Sequence, residues 1–187
     1  LQPLNLGSLW SFVAVAGTGL TNSNAGDETI LDGDVGIFPG SSCQGDGVDC
    51  TALNPVITGT LFAADAGMVA ALAKMDLTAA YDDAMSLPPG VIVNDLSGMT
   101  LTAGVYTSAS TMTIAVGSTV TLDGGGDPDA VFIFQIGSSL TVNNDAEIVL
   151  INGARARNVF WVAAASTTLG SNVSFQGSVL AGVSNSV

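Results

Sequence analysis

Hydrophobic positions in the second half of the chain fall into short runs that restart after glycines. One stretch reads Gly104-Val-Tyr-Thr, then Ser110-Thr-Met-Thr-Ile, then Ser118-Thr-Val-Thr-Leu-Asp-Gly124. The next reads Ala130-Val-Phe-Ile-Phe-Gln-Ile-Gly, then Ser138-Ser-Leu-Thr-Val, then Glu147-Ile-Val-Leu-Ile-Asn-Gly153. A third reads Asn158-Val-Phe-Trp-Val-Ala, Thr167-Thr-Leu-Gly and Val173-Ser-Phe-Gln-Gly177, and a fourth opens with Ser178-Val-Leu-Ala-Gly and runs to Val187. Each unit predicts three short strands, the first very apolar and the last closed by Asp, Asn or Gln before Gly. Units of about 20 to 30 residues that cannot bury themselves alone imply stacked coils with three faces. An isolated copy stands near the N-terminus: Ser11-Phe-Val-Ala-Val-Ala-Gly, Thr18-Gly-Leu-Thr and Thr29-Ile-Leu-Asp-Gly33.

The material between is different. Leu61, Met68, Leu72, Met75 and Ala79 recur at helical spacing, with Lys74, Asp76, Asp82 and Asp83 off the stripe. Pro88 and Pro89 forbid continuation, so the spacing predicts one amphipathic helix over about 60–86. The first strand of each coil is apolar on both sides, as in Phe12 to Ala16, Val131 to Ile136 and Val159 to Ala164. A strand of that kind is covered on both faces, and the helix is its expected cover. That leaves the second and third strands facing water. The whole reading is a mostly β, right-handed three-faced β-solenoid (β-helix), discontinuous, with one long helix packed along one face. As one domain over 1–187 it comprises an N-terminal coil at 9–40, a Cys loop at 41–58, the helix at 60–86 and stacked coils at 96–187.

The second strands carry the informative pattern. With Leu20, Met112, Leu140 and Leu169 pointing inward, alternation sends Thr21, Thr111, Thr113, Ser139, Thr141 and Thr168 outward. Thr18, Gly19 and Thr167 belong to the same stretches, and Ser184 and Ser186 occupy the last unit. Stacked strands lie about 4.7–4.9 Å apart, so such side chains form a regular grid without charge. Periodicity alone leaves two readings open. Exposed Thr ladders stabilise sheets by cross-strand pairing, and a rigid hydroxyl-and-methyl array also orders water.

Composition narrows the partners. Three cationic side chains face sixteen acidic ones, for a formal net charge of −13. That balance excludes nucleic acid and anionic membrane surfaces, both of which need clustered Lys and Arg. No apolar run reaches the length of a membrane-spanning helix, and no signal-like leader opens the sequence, so any secretory signal is expected to have been removed already. Cys43 and Cys50 share a polar loop; a disulfide in an extracellular setting is the expectation, with a metal pair as the rival. No His is present for general-base work or to complete a metal site. The Asp123 to Asp129 stretch has the carboxylates and glycines of a hard-cation loop, but its ligand spacing is not repeated, and a Gly-rich turn is the favoured reading. Arg155 and Arg157, with Lys74 the only other cation, are too few for a lyase-like grip on an acidic sugar. The expectation is therefore no enzyme, no cofactor and no metal.

The stretches Phe12-Val-Ala-Val-Ala-Gly, Leu31-Asp-Gly-Asp-Val-Gly-Ile-Phe-Pro-Gly40, Asp76-Leu-Thr-Ala-Ala-Tyr-Asp-Asp-Ala84 and Leu101-Thr-Ala-Gly-Val-Tyr106 resemble motifs of the microbial secreted ice-binding (antifreeze) protein family. Gly126-Asp-Pro-Asp-Ala-Val-Phe-Ile-Phe-Gln-Ile-Gly137 and Arg157-Asn-Val-Phe-Trp161 look like its most recognisable signatures, and the likeness runs in order over nearly the whole chain. It implies a discontinuous solenoid with a flanking helix, secretion, and adsorption to ice through a Thr-Ala/Gly-X-Thr/Asn strand. Thr18-Gly19-Leu20-Thr21 matches that strand fully, while Ser138 to Thr141 and Thr167 to Gly170 match it loosely. The implied partner is an ice surface with its ordered water, met by a monomer. The expected results are thermal hysteresis, ice shaping and inhibition of recrystallisation. Members of the family usually continue past the position of Val187, so the expectation is either an incomplete sequence or an open coil end there. The alternatives are an extracellular adhesin or carbohydrate-binding module, which calls for exposed aromatics, and a structural surface repeat. Trp10, Trp161, Tyr81 and Tyr106 are expected to be buried or helix-facing.

Overall fold

The computed structural model describes residues 1–16, 19–22, 30–31, 33–45, 48–49, 56–63, 68–181 and 184–186. The protein is mostly β with one helix. It forms two compact units, one of residues 6–79 and one of residues 80–187 with residues 1–5.

In the first unit the chain runs through β1 (Phe12–Ala16), β2 (Gly19–Asn22) and β3 (Ile30–Leu31), then through β4 (Asp34–Ile37), β5 (Ser42–Gly45) and β7 (Val56–Ile57). A short β6 (Val48–Asp49) folds back antiparallel on β5. Strand β4 lies parallel to β1, β5 to β2 and β7 to β3, and β8 (Leu61–Ala63) extends the first ladder beyond β4. The segment expected as a Cys loop over 41–58 thus holds strands of a second pass through the same three ladders. Its alternation was hidden because the β5–β6 hairpin interrupts it.

Helix α1 (Val69–Ser86) starts later than the spacing predicts. Leu61 belongs to β8, whose backbone is already paired with β4, and Met68 just before the helix has φ 58°. The stripe is also reversed. Ala70, Ala73, Ala80 and Ala84 are buried, whereas Leu72 and Met75 are 53% and 66% exposed. Ranking by hydrophobic size chose the wrong side: this helix buries its small residues, which allow close approach. The consequence appears at Gly36 of β4, where an added Cβ would stand 3.0 Å from the Phe12 ring and 3.5 Å from Ala70 Cβ. Trp10 also departs from expectation. It is 74% exposed, in a 3-10 turn (Gly7–Ser11) with no buried residue, which is tied to the helix by Ser8 N–H and Oγ donating to Asp76.

The second unit repeats one path. A first turn, missed in the sequence because its strands are so short, comprises β9 (Val91–Ile92), a bridge at Asp95 and β10 (Thr100–Thr102). Then follow β11 (Gly104–Ser108), β12 (Met112–Ile114) and β13 (Thr119–Asp123), and β14 (Phe132–Ile136), β15 (Leu140–Val142) and β16 (Glu147–Ile151). Last come β17 (Val159–Ala163), β18 (Ser166–Leu169), a bridge from Ser174 to Glu147, β19 (Ser178–Ala181) and β20 (Ser184–Ser186). Three parallel sheets result, ordered β19-β17-β14-β11-β9, β12-β15-β18-β20 and β10-β13-β16.

The core lies between these sheets. Tyr106, Phe134 and Trp161 stand in register on successive first strands, with ring centroids 5.4 and 3.8 Å apart. Each such burial contributes about 1.5–3 kcal/mol, and the polar tips are satisfied: Tyr106 Oη donates to Thr102 O and Trp161 Nε1 to Gln176 O. Strands β14 and β17 are buried at every position, as their two-sided apolar pattern predicts. Even Gln135, which faces away from the core, is covered: its Nε2 donates to Ala84 O and Leu87 O at the end of α1, and its Oε1 accepts from Thr107. Corners are turned by left-handed residues at equivalent positions, Gly117, Asp145 and Asn172, residue types that tolerate this conformation.

Candidate functional site

The second sheet of this unit has a different outer side. Met112 aligns with Leu140 and Thr167, and Ile114 with Val142 and Leu169; these positions point inward. Between them Thr113, Thr141 and Thr168 form one outward row, and Ser186 pairs with Thr168 on the next strand. One pleat away, Ser139 aligns with Ser166 and Ser166 with Ser184, their Ser139 and Ser166 hydroxyls 3.1 Å apart. Thr111 takes the corresponding place on the strand before Ser139, since Met112 pairs with Leu140. Neighbours within a row are about 4.7–4.9 Å apart and the rows about 6.6–6.8 Å apart, as the strand spacing and the two-residue rise require.

Thr167 is a correction. It is 1% exposed, in register with buried Leu140, and its hydroxyl has no hydrogen-bond partner among the described residues. Alternation from Leu169 inward and Thr168 outward already demands this, and the same count finds Ser166, which sequence reading passed over. Thr21 and Gly19 pair with Gln44 and Ser42 in the first unit. Thr18 lies outside the described residues. Cys43 is buried, while Cys50, its expected partner, lies outside them.

Electrostatics set this sheet apart. At its edge Asp95 bridges to Thr113, and its carboxylate is held below the usual range by the Ser97 hydroxyl and then the Ser97 N–H. The rows beyond carry hydroxyls only. The third sheet also exposes threonines, Thr100, Thr102 and Thr119, but Thr119 is paired with exposed Glu147 and Thr102 with Asp123. In the Asp123 to Asp129 loop the carboxylates serve the turn. Asp123 accepts from Gly125 N–H and Asn152 Nδ2, which lower its pKa in that order, and Asp127 accepts from Asp129 N–H. Arg157 stands 3.7 Å from Asp129.

The chain is similar to proteins that share this architecture. An ice-binding protein from Nostoc sp. (strain HG1) is 37% identical over 179 residues, covering 94% of this chain and 61% of the relative. Ice-binding protein 1 of Shewanella frigidimarina is 36% identical over 200 residues, 94% of this chain but 22% of its own length. The chain thus spans less than two thirds of each of these relatives. Among solved structures, an ice binding protein from an Antarctic biological consortium superposes with TM-score 0.86 at 32% identity, over 100% of this chain and 88% of that one. A domain of the Shewanella frigidimarina protein gives 0.84 at 29% identity, over 100% and 95%. The profile of the Ice-binding-like family matches residues 14–187. With its turns, its helix and nearly its whole length accounted for by that match, the chain belongs to the ice-binding-like family.

Proposed function

We propose that this chain adsorbs to ice through the outer side of sheet β12-β15-β18-β20, with no chemical step. The observation that carries the reading is the pair of uncharged hydroxyl rows, Thr113-Thr141-Thr168 and Thr111-Ser139-Ser166, on a rigid parallel frame. Each net hydrogen bond to water contributes only about 0.5–1.5 kcal/mol. A frame that loses little entropy on contact lets many act together, which makes adsorption effectively permanent. Methyl groups on the threonines hold water at fixed positions between the rows, so an ordered layer can merge with a crystal. Ser184 and Ser186, paired with Ser166 and Thr168, belong to the same reading, as do Gly19 and Thr21 of β2 in the first unit with Thr18 before them in the sequence.

The finer architecture belongs to the same proposal: a right-handed three-faced solenoid, since parallel crossovers take that hand in about 98% of cases. So do secretion, a monomeric state and a Cys43–Cys50 disulfide. No helix among the described residues is long and apolar enough to cross a membrane.

Purified protein in a nanolitre osmometer is expected to hold the freezing point below the melting point, facet the crystal and block recrystallisation. Round, freely growing crystals at millimolar protein would overturn the reading. One observation favours a second reading: the exposure of Trp10 suits stacking on a sugar ring. Quenching or a blue shift of Trp10 fluorescence by soluble polysaccharides, lost in Trp10→Ala, would support it.

A further inference from the structure

The hydroxyl rows end at a corner where the second sheet turns into the third, and each step between neighbouring turns is fastened there by a side chain. Ser97 Oγ accepts from Ala115 N–H at 2.8 Å, joining the first turn to the second. Asn143 Nδ2 donates to Ile114 O at 2.8 Å, joining the second to the third. Asn144 Oδ1 accepts from Ser171 N–H at 3.0 Å, and Asn172 Nδ2 donates to Asp145 at 3.2 Å, joining the third to the fourth. Backbone bonds run beside them, from Gly117 N–H to Asn144 O and from Asp145 N–H to Ser171 O. The fit around Asn144 is close: a Cβ on Gly170 would stand 2.4 Å from its Oδ1. Ile114, Val142 and Leu169 end the strands that carry the rows, so these fasteners sit one to three residues beyond the proposed adsorbing face.

We propose that Asn143 and Asn144 are positioning residues for that face, an inference that rests on the ice reading above. Backbone pairing fixes the average strand separation, but parallel strands at the edge of a short sheet tilt and fray. A side chain that reaches across to the next turn removes that freedom where only three residues of β12 and β15 support the rows. The hydroxyls then keep one repeat from turn to turn, and the repeat decides which planes of a water lattice they match. Two neighbouring asparagines reach in opposite directions along the stack, one to the preceding turn and one to the following turn, so together they hold the third turn from both sides.

The test compares Asn143→Ala, Asn144→Ala and Asn144→Asp, all in the full chain. Asn144→Asp keeps an acceptor for the Ser171 N–H; Asn144→Ala removes it. Near-UV circular dichroism near the freezing point establishes that each variant is folded. Fluorescently labelled protein on a single-crystal ice hemisphere then reports which planes are bound, a readout that a merely stabilising role leaves unmoved in folded protein. Both alanine variants are expected to lose or blur planes that the parent binds, with less than half its thermal hysteresis at equal concentration. Asn144→Asp is expected to retain the parent pattern. Folded alanine variants with the parent's planes and hysteresis overturn the inference, as does an Asn144→Asp variant no better than Asn144→Ala. A parent protein that labels no plane sinks the ice reading itself, and is distinguishable from both.

Discussion

The second and third sheets of the C-terminal unit are built by the same turns, with the same alternation, and both present threonines to water. On the second sheet the outward neighbours of Thr141 are Thr113 and Thr168. On the third, Thr121 lies between Thr100 and Val149, Thr119 beside Glu147, and Thr102 beside Asp123. Threonine alone therefore does not mark a working face, because its β-propensity places it on both. What separates them is the row: one continues as hydroxyls from turn to turn, while the other is broken by carboxylates and aliphatic groups. A carboxylate holds its own hydration shell, which disrupts an ordered water layer.

The comparison can be broken most severely from inside. Both sheets share the Tyr106-Phe134-Trp161 stack, so Phe134→Ala should cost about 3–5 kcal/mol and disturb both faces together. Denaturant unfolding checks this, and a loss below about 1 kcal/mol would mean that the stack does not support the sheets. Gln135 comes next. Replacing it by Leu leaves Ala84 O, Leu87 O and the Thr107 hydroxyl without their present partners, at about 1–3 kcal/mol. The helix end should loosen, seen as faster amide exchange in residues 80–86, while hysteresis of the folded protein stays unchanged.

A smaller change sharpens the contrast between adjacent threonines. Thr167→Val removes a buried hydroxyl without a partner among the described residues, and should raise stability by about 1 kcal/mol with no loss of activity. Reduced hysteresis in that variant would return Thr167 to the face. The least effect is that of pH. The pKa of Asp95 is lowered in the folded state by the Ser97 hydroxyl and N–H, so its contribution is present above the ordinary carboxylate value and is lost as pH falls through the folded value. Melting temperature should be insensitive to this group from neutral pH to about pH 4 and lose its contribution only below that. A loss of stability at pH 5–6 would contradict the assignment of this contribution to Asp95.

Much of this was legible in the sequence, for a physical reason. The repeats from Gly104 onward announce themselves because each first strand is apolar on both sides and each corner needs a residue tolerant of positive φ, such as Gly117, Asp145 or Asn172. The second-strand rows follow from a period of two. The rest failed where the signal depends on partners. Strand β9 is two residues long, and β5 and β7 are interrupted by the fold-back of β6 on β5, so none of the three shows alternation. The helix misled because alanines bury with little hydrophobic signal, while Leu72 and Met75 advertise a face left in water. At Thr167 residue type suggests an exposed hydroxyl while alternation points it inward, and alternation prevails. The corner asparagines gave no sequence signal, since their partners are carbonyl and amide groups one turn away.

The central claim concerns which of two similar sheets meets ice, and matched substitutions separate them. Thr141→Tyr places a ring in the middle of the hydroxyl rows, and Thr121→Tyr places the same ring at the middle of the third sheet. Thermal hysteresis of the two variants, measured at equal concentration with matched circular dichroism, is the direct test. The account predicts that Thr141→Tyr loses most of the activity and Thr121→Tyr keeps nearly all of it; the reverse order, or two variants equal to the parent, would contradict it.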